Sequence, residues 1–371
     1  MTVQFASLLP GDPAPWFRQR CTTAHGTYTF DMSAGRHVVL FFFDSSLAPQ
    51  TASDLQAVRA AADLFDGRRA SFFGVSADPA DEAEGRLREE PPAIRFFFDA
   101  DATAGRLYGA RPASADGAAR GRSLWVVLDP MLRVLGVLDQ APGTAGLVLA
   151  ALRGRLAQPA TPEPTAPVLL LDQVFEPEFC RRLIDYYHRA GNTDSGVFTE
   201  REVGRSEAVS DPGFKRRRDC LLRDRTLVEQ VQARLIRRVV PEIRKAFQFE
   251  ASRLERLVVA CYDVADGGRF GPHRDNTVQA AAHRRFAVSI NLNNEFEGGG
   301  LSFPEFGPRL YRPPAGGAAI FSCSLMHAVA PVTAGRRFAC LPFIYDEAAL
   351  KVKRANLDII RNAMGAGGKD P

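Results

Sequence analysis

The chain has 371 residues, 46% apolar and 24% charged, with a formal net charge of +4. That length suits about two domains, and 47 basic residues against 43 acidic ones give no reason to expect nucleic acid or an anionic membrane as a partner. No apolar run approaches the ~18 residues of a membrane span, the first residues show no secretory leader, and six scattered cysteines without a Cys-x-x-Cys spacing exclude a zinc knuckle and disfavour a disulfide scaffold. A cytoplasmic home is the expectation.

In chain order, HVVLFFFD (37–44) is a buried-strand run. Residues 51–65 follow as a helix, with Leu55, Val58, Ala62 and Phe65 near one face. ASFFGVSAD is a second strand, a helix is expected over 79–88, and IRFFFDA is a short third strand. SLWVVLDP and RVLGVLD flank a tight turn at Asp129-Pro130, which favours an antiparallel hairpin. A helix over 144–156 closes the region. Alternating strands and helices with a terminal hairpin predict a mixed α/β sheet covered by helices.

Residues 158–167 carry four prolines and form the expected linker, with the boundary near Pro164. The domains are therefore 1–157 and 168–371. Beyond the linker, FEPEFCRRLIDYYHRAG reads as an amphipathic helix, and DRTLVEQVQARLIRRVVPEIRKAFQF as one or two more, interrupted by Pro241. Short apolar runs separated by Gly, Pro and Asn then follow to about residue 346 (ERLVVACYDV, RRFAVSINLN, LSFPEF, RLYRPP, AAIFSCS, RRFACLPFIYD). They predict a sandwich or barrel-like roll, giving an α+β domain with a helical buttress. FKRRRD (214–219) reads as a solvated basic loop; as an alternative it lines a substrate entrance and favours an acidic substrate. Gly298–Gly300 and Gly316-Gly317 read as turns needing positive φ.

The chemistry gathers around His273-Arg274-Asp275. Side chains two apart on an extended segment face the same way, so His273 and Asp275 can meet one cation. His327 offers a second imidazole at the end of a strand-like run. Two histidines and a carboxylate are the donor set of non-haem Fe(II) oxygenases, although zinc and manganese accept it too. Arg336 and Arg337 follow at the start of the next strand, where a guanidinium can fork onto a distal carboxylate. His25, His37, His188 and His283 have no partner at ligand spacing and read as structural or exposed.

Two resemblances bear on these residues. GDPAPWF, YTF, VVLFFFDSSLAPQTASDL and Arg122 before SLWVVLD resemble a peroxiredoxin of the thioredoxin superfamily, over roughly residues 7–155. That family acts through a P-x-x-x-T-x-x-C loop. Here Asp44, Ala48 and Thr51 stand where its proline, threonine and cysteine would be, and Arg122 alone remains. The resemblance implies the fold without the peroxidase, serving docking, dimerisation or stability. A homodimer or a protein partner bound through this domain is the expectation.

The second half, densest over 255–346, resembles the prolyl 4-hydroxylase group of Fe(II)/2-oxoglutarate dioxygenases. It carries the His-x-Asp, Gly299 to Glu305, the second histidine followed by PVT, and a basic residue before an aromatic. The resemblance implies a double-stranded β-helix, or jelly roll, and iron on His273, Asp275 and His327. It implies 2-oxoglutarate as co-substrate, with Arg337 on its C5 carboxylate, Arg336 as runner-up, and ascorbate as an accessory. Tyr262 sits where relatives place a hydroxyl touching 2-oxoglutarate. Asn291 replaces a tyrosine common at its position. The implied reaction hydroxylates a C–H bond and releases succinate and CO2. A protein or peptide side chain, proline first, or a small amino-acid-like molecule is the implied substrate. An oxygen or redox sensor with the thioredoxin-like domain as its partner-binding module is the alternative. A thiol peroxidase fused to a structural barrel is disfavoured by the missing loop cysteine.

Overall fold

The computed structural model describes residues 6–23, 26–112, 121–158, 164–202, 205–209 and 211–366. His25 and residues 159–163 of the expected linker lie outside these. Among the described residues no helix is long and apolar enough to cross a membrane. The chain divides into two compact units, Met1–Pro164 with Pro304–Gly307, and Thr165–Phe303 with Pro308–Pro371.

The first unit holds strands β1 (Arg18–Cys21), β2 (Thr27–Thr29), β3 (His37–Phe43), β4 (Ala70–Ser76), β5 (Ile94–Phe98), β6 (Leu124–Leu128) and β7 (Val134–Asp139), with helices α1 (Pro49–Ala60), α2 (Pro79–Ala83), α3 (Thr103–Tyr108) and α4 (Thr144–Ala157). One sheet runs β2-β1-β5-β4-β3-β6-β7. Its centre, β5-β4-β3, is parallel, and the β6–β7 hairpin is antiparallel. Central parallel strands are covered on both faces, which is why β3 and β4 are continuous apolar runs. One face packs Val39, Phe41 and Phe43 against Leu55, Val58, Val148 and Leu152 of α1 and α4, with Trp125 stacked 4.0 Å from Phe41. The other face gathers Phe17, Phe30, Phe73, Phe97 and Tyr108 into an aromatic cluster.

Two helices are shorter than expected. α1 ends at Ala60 and gives way to a 3₁₀ turn over Ala62–Leu64, leaving Ala62 exposed. α2 stops at Ala83, short of 88, because Gly85 follows in a left-handed conformation, φ +61°. Thr51 lies buried in the first turn of α1. Asp44 pairs with Arg111, while Arg122 donates to the Gly109 carbonyl (2.7 Å) and meets Asp139 (3.4 Å).

The second unit starts with β8 (Leu169–Leu171), α5 (Pro177–Ala190), β9 (Thr193–Asp194), β10 (Val197–Glu202), β11 (Arg205–Val209), β12 (Lys215–Arg216) and β13 (Arg218–Leu221). Helices α6 (Arg225–Arg238) and α7 (Val240–Phe247) come next. Then follow β14 (Arg253–Glu255), β15 (Val258–Asp263), β16 (Arg269–His273), β17 (Phe286–Asn291), β18 (Phe296–Gly298), β19 (Leu301–Ser302), β20 (Leu310–Tyr311), β21 (Ala318–Ser322), β22 (His327–Val329), β23 (Val332–Cys340), β24 (Phe343–Tyr345) and α8 (Glu347–Ala366). The larger sheet runs β14-β24-β17-β23-β15-β13-β9, with β21 paired to β17 and β8 to β21, and the smaller one β12-β16-β22-β19-β20.

The apolar stripes of α5, α6 and α7 (Phe179, Leu183, Leu227, Val231, Leu235, Ile243) share one core with Val259, Ile290, Ile320 and Cys340 of the larger sheet. The helical segment divides at Val239, and Pro241 occupies the second position of α7, where its missing N–H costs nothing. The segment LSFPEF yields only the two-residue β19 and a 3₁₀ turn at Pro304–Phe306. Gly298, Gly299 and Gly316 take positive φ (+69°, +62°, +80°); Gly300 and Gly317 do not. The β10–β11 hairpin and α8 were not anticipated from the sequence. FKRRRD is the clearest correction. It is not a solvated loop throughout: it forms β12 and the start of β13, paired to β16 and β15, with Lys215 and Arg217 buried and Arg216 and Arg218 exposed.

Candidate metal centre

β16 and β22 pair antiparallel with His273 directly opposite His327. Directly opposed side chains on one face lie close together, and the two imidazole centroids are 4.2 Å apart. Asp275 follows two residues after His273, its backbone N–H held by the Cys323 carbonyl at the end of β21 (3.0 Å). Its carboxylate oxygens lie 3.5 Å from His273 Nε2 and 3.3 Å from His327 Nε2. One donor atom from each residue falls within 4.8 Å of the others. Metal–ligand bonds of ~2.1 Å at right angles separate donor atoms by about 3 Å, so a small inward movement around a cation suffices.

The other ring nitrogens fix the tautomers. His273 Nδ1 contacts the Gly271 carbonyl at 2.8 Å, and His327 Nδ1 contacts the Leu325 carbonyl at 3.0 Å. A carbonyl only accepts, so each Nδ1 carries the proton and each Nε2 turns its lone pair towards Asp275. Phe270 stacks on His273 at 3.6 Å, and Phe321 lies 4.6 Å from His327, walling the rings in. Burial, then the neighbouring His327, lowers His273 to about 4, which keeps its imidazole neutral. Burial acts to raise Asp275, yet the two histidines hold its carboxyl well below the ordinary range. A neutral imidazole with its Nε2 lone pair free and an anionic carboxylate are the forms that bind a metal.

The arginine pair divides across β23. Register places Tyr262 opposite Arg337 and Asp263 opposite Arg336. Arg337 is 2% exposed; its Nε donates to Asn291 Oδ1 (3.0 Å) and its Nη2 to Ser289 Oγ (2.9 Å). Its Nη1 is buried without a hydrogen-bond partner. Arg336 turns outward and donates to Asp263 (2.7 Å). Asn291 also donates to the Pro313 carbonyl (2.6 Å), so it is a fixed prop for Arg337. Tyr262 is buried with its ring 5.4 Å from the Arg337 guanidinium.

The sequence missed Ser289, Phe270 and Arg217. Strand periodicity offered a signal for Ser289, two residues before Asn291 on β17. Arg217 donates to Tyr262 Oη at 3.3 Å, a contact hidden inside what reads as a charged loop. Of the four histidines set aside, His283 is buried against Glu255 (2.8 Å), His37 contacts the Leu128 carbonyl (3.3 Å) and His188 lies 5.5 Å from Phe338.

Residues 257–345 match the model of the 2OG-Fe(II) oxygenase superfamily, and residues 10–130 match that of the AhpC/TSA family. Two PKHD-type hydroxylases are similar to the second half. One, from Synechococcus sp., is 26% identical over 98 residues, covering 24% of this chain and 43% of the relative. The other, from Azoarcus sp., is 33% identical over 87 residues, covering 21% and 38%. The chain thus spans less than half the length of these relatives. Among solved structures, a Pseudomonas putida prolyl-4-hydroxylase aligns at 14% identity with a TM-score of 0.39, over 49% of this chain and 94% of its own. Mycobacterium tuberculosis AhpC aligns at 19% identity with a TM-score of 0.34, over 42% and 98%. The chain therefore carries one segment that matches the AhpC/TSA family and a later one that matches the 2OG-Fe(II) oxygenase superfamily.

Proposed function

We propose that the protein is an Fe(II)/2-oxoglutarate-dependent hydroxylase. The observation that carries this reading is the convergence of two Nε2 lone pairs and one carboxylate from His273, His327 and Asp275. Those three residues would hold the iron, and Arg337 would hold the C5 carboxylate of 2-oxoglutarate. The orphaned Nη1 of Arg337 supports that assignment, since a buried guanidinium edge without a partner calls for an acceptor. Asn291 and Ser289 aim the guanidinium, Tyr262 flanks it, and Arg336 serves the surface.

When bound, iron and 2-oxoglutarate supply the oxidising chemistry, with succinate and CO2 as co-products. The chain's own part is positioning. The Nδ1 bonds keep both imidazoles oriented, and Phe270 and Phe321 restrict water around them. The substrate class is an amino-acid side chain, prolyl or other, with ascorbate as an accessory. We read the strands of the second unit as a jelly roll buttressed by α5–α7, and residues 1–157 as a thioredoxin-fold module without peroxidase activity, joined by the 158–167 linker.

Anaerobic titration with Fe(II) and 2-oxoglutarate tests the reading. The chelate gives a visible metal-to-ligand charge-transfer band, which His273→Ala should abolish. No band in the wild type, or a band that survives in His273→Ala, would falsify the site.

A further inference from the structure

One buried contact in the second unit is not used by the reaction as described. Arg217 Nη1 lies 3.3 Å from Tyr262 Oη, and both residues are buried. A guanidinium has donors and no acceptor, so Arg217 donates and the phenol oxygen accepts. The phenol proton must then turn away from Arg217. Among the described residues it meets no acceptor.

Strand register shows what lies on the other side of the phenol. β13 pairs with β15 at Arg218–Cys261 and Asp219–Ala260, and one further step of the same register sets Arg217 opposite Tyr262. Tyr262 is in turn opposite Arg337. Directly opposed side chains share a face, so the three form one row with the phenol in the middle. The Arg217 and Arg337 guanidinium carbons lie 5.8 Å and 5.4 Å from the centre of its ring. Arg337 brings to that row its Nη1, buried and without a partner. A carboxylate held there would supply the acceptor that the Tyr262 proton lacks.

Arg217 is itself clamped. Its Nη2 donates to Asp219 Oδ2 (2.8 Å) and Ser195 Oγ (3.1 Å), and its Nε lies 2.7 Å from Asp219 Oδ1. Asp219 is held in turn by Arg256 Nη2 (2.8 Å) and Ser195 Oγ (2.7 Å). The charge of Arg217 is thus balanced by Asp219, and its Nη1 edge reaches Tyr262. A cation that donates to a phenol oxygen also strengthens that phenol as a donor. We infer that Arg217 is a positioning residue: locked on Asp219, it orients the Tyr262 hydroxyl so that the phenol proton is presented to the C5 carboxylate of 2-oxoglutarate on Arg337. This inference rests on the proposed iron and 2-oxoglutarate site and adds a residue that acts on it only through Tyr262.

The test is a double-mutant cycle in the full chain, read as the 2-oxoglutarate midpoint of the anaerobic charge-transfer titration at saturating Fe(II). Tyr262→Phe should weaken 2-oxoglutarate binding about tenfold, the scale of one hydrogen bond to a charged group. Arg217→Met should weaken it about threefold or more while the hydroxyl is present, and add nothing in the Tyr262→Phe background. Fe(II) affinity and the position of the band should stay as in the wild type, which a merely structural role would not allow. Asp219→Asn loosens the clamp but keeps the guanidinium, so it should give a smaller loss that also vanishes without the hydroxyl; it carries the cycle if Arg217→Met does not fold. Effects of Arg217→Met and Tyr262→Phe that multiply overturn the inference, because Arg217 would then act by its charge or through the fold. So does a wild-type midpoint in either single variant, or a shift of Fe(II) affinity or band position in Arg217→Met. Absence of the band in the wild type refutes the underlying site instead.

Discussion

Replacing Arg337 should separate co-substrate binding from iron binding. In the protein without ligand its guanidinium is held by two neutral acceptors, Asn291 Oδ1 and Ser289 Oγ, and Nη1 has no acceptor. Its charge is thus undivided when a carboxylate arrives. Truncating one member of a buried, hydrogen-bonded charge pair costs about 2–5 kcal/mol, or about 30-fold to several-thousand-fold in Kd. Arg337→Met keeps the volume and removes the charge, so a loss near the middle of that range, ~3 kcal/mol, is expected. Because no acidic partner is left behind, the variant without ligand should be at least as stable as the wild type. Arg337→Lys restores the charge without the fork and should fall between the two. Arg336→Ala removes only an exposed pair with Asp263, worth less than about 1 kcal/mol of stability, and should not touch 2-oxoglutarate. The assay is the anaerobic charge-transfer titration, paired with thermal shift with and without 2-oxoglutarate. A 2-oxoglutarate midpoint within threefold of wild type in Arg337→Met, or a larger shift in Arg336→Ala, refutes the reasoning.

Three other outcomes are expected. Gly299→Ala puts a Cβ at φ +62°, 3.0 Å from Val332 Cγ2 and 3.2 Å from Arg337 Cδ; it should cost ~1–2 kcal/mol of stability and weaken 2-oxoglutarate binding, and an unchanged melting temperature and midpoint would contradict the packing. Asp219, which burial alone would raise, is held at about 2 by Arg217 and Arg256. A depressed carboxyl favours the fold above its ordinary range and loses that contribution as pH falls from about 4 to about 2, an effect of roughly 2 kcal/mol. Urea unfolding of wild type and Asp219→Asn should therefore differ most at neutral pH and converge near pH 2; a gap that does not narrow in acid counts against this. Finally, with Thr51 in place of a loop thiol and Cys21 buried with its pKa raised by burial, wild type and Cys21→Ser should both consume hydrogen peroxide no faster than buffer in a coupled dithiothreitol assay. Wild-type turnover that Cys21→Ser abolishes would reverse the reading of the first domain.

The two-part organisation was legible because its signals are local. A proline-rich segment interrupts the apolar pattern, continuous apolar runs mark buried parallel strands, and helical spacing appears on either side of Pro241. The candidate metal-binding pair could be read from a period of two, which puts His273 and Asp275 on one face. Alternation likewise separated Arg337 from Arg336. Elsewhere local rules misled: the helix over 79–88 stops where Gly85 turns left-handed, and Ala62 falls beyond the end of its helix.

Composition and period decided which residues are candidates for ligating chemistry, because those depend on neighbours one to four positions away. Only the tertiary structure decided what the charges in FKRRRD do. A run of five charged residues reads as solvated, since water is the default partner for charge. Pairing of β12 with β16 and of β13 with β15 draws Lys215 and Arg217 inward, against Phe270 and Tyr262. The partners that make that burial tolerable, Ser195 and Asp219, come from separate elements. The opposition of His273 and His327 across β16 and β22 is of the same kind: 53 residues of chain lie between them, and only strand register brings them together.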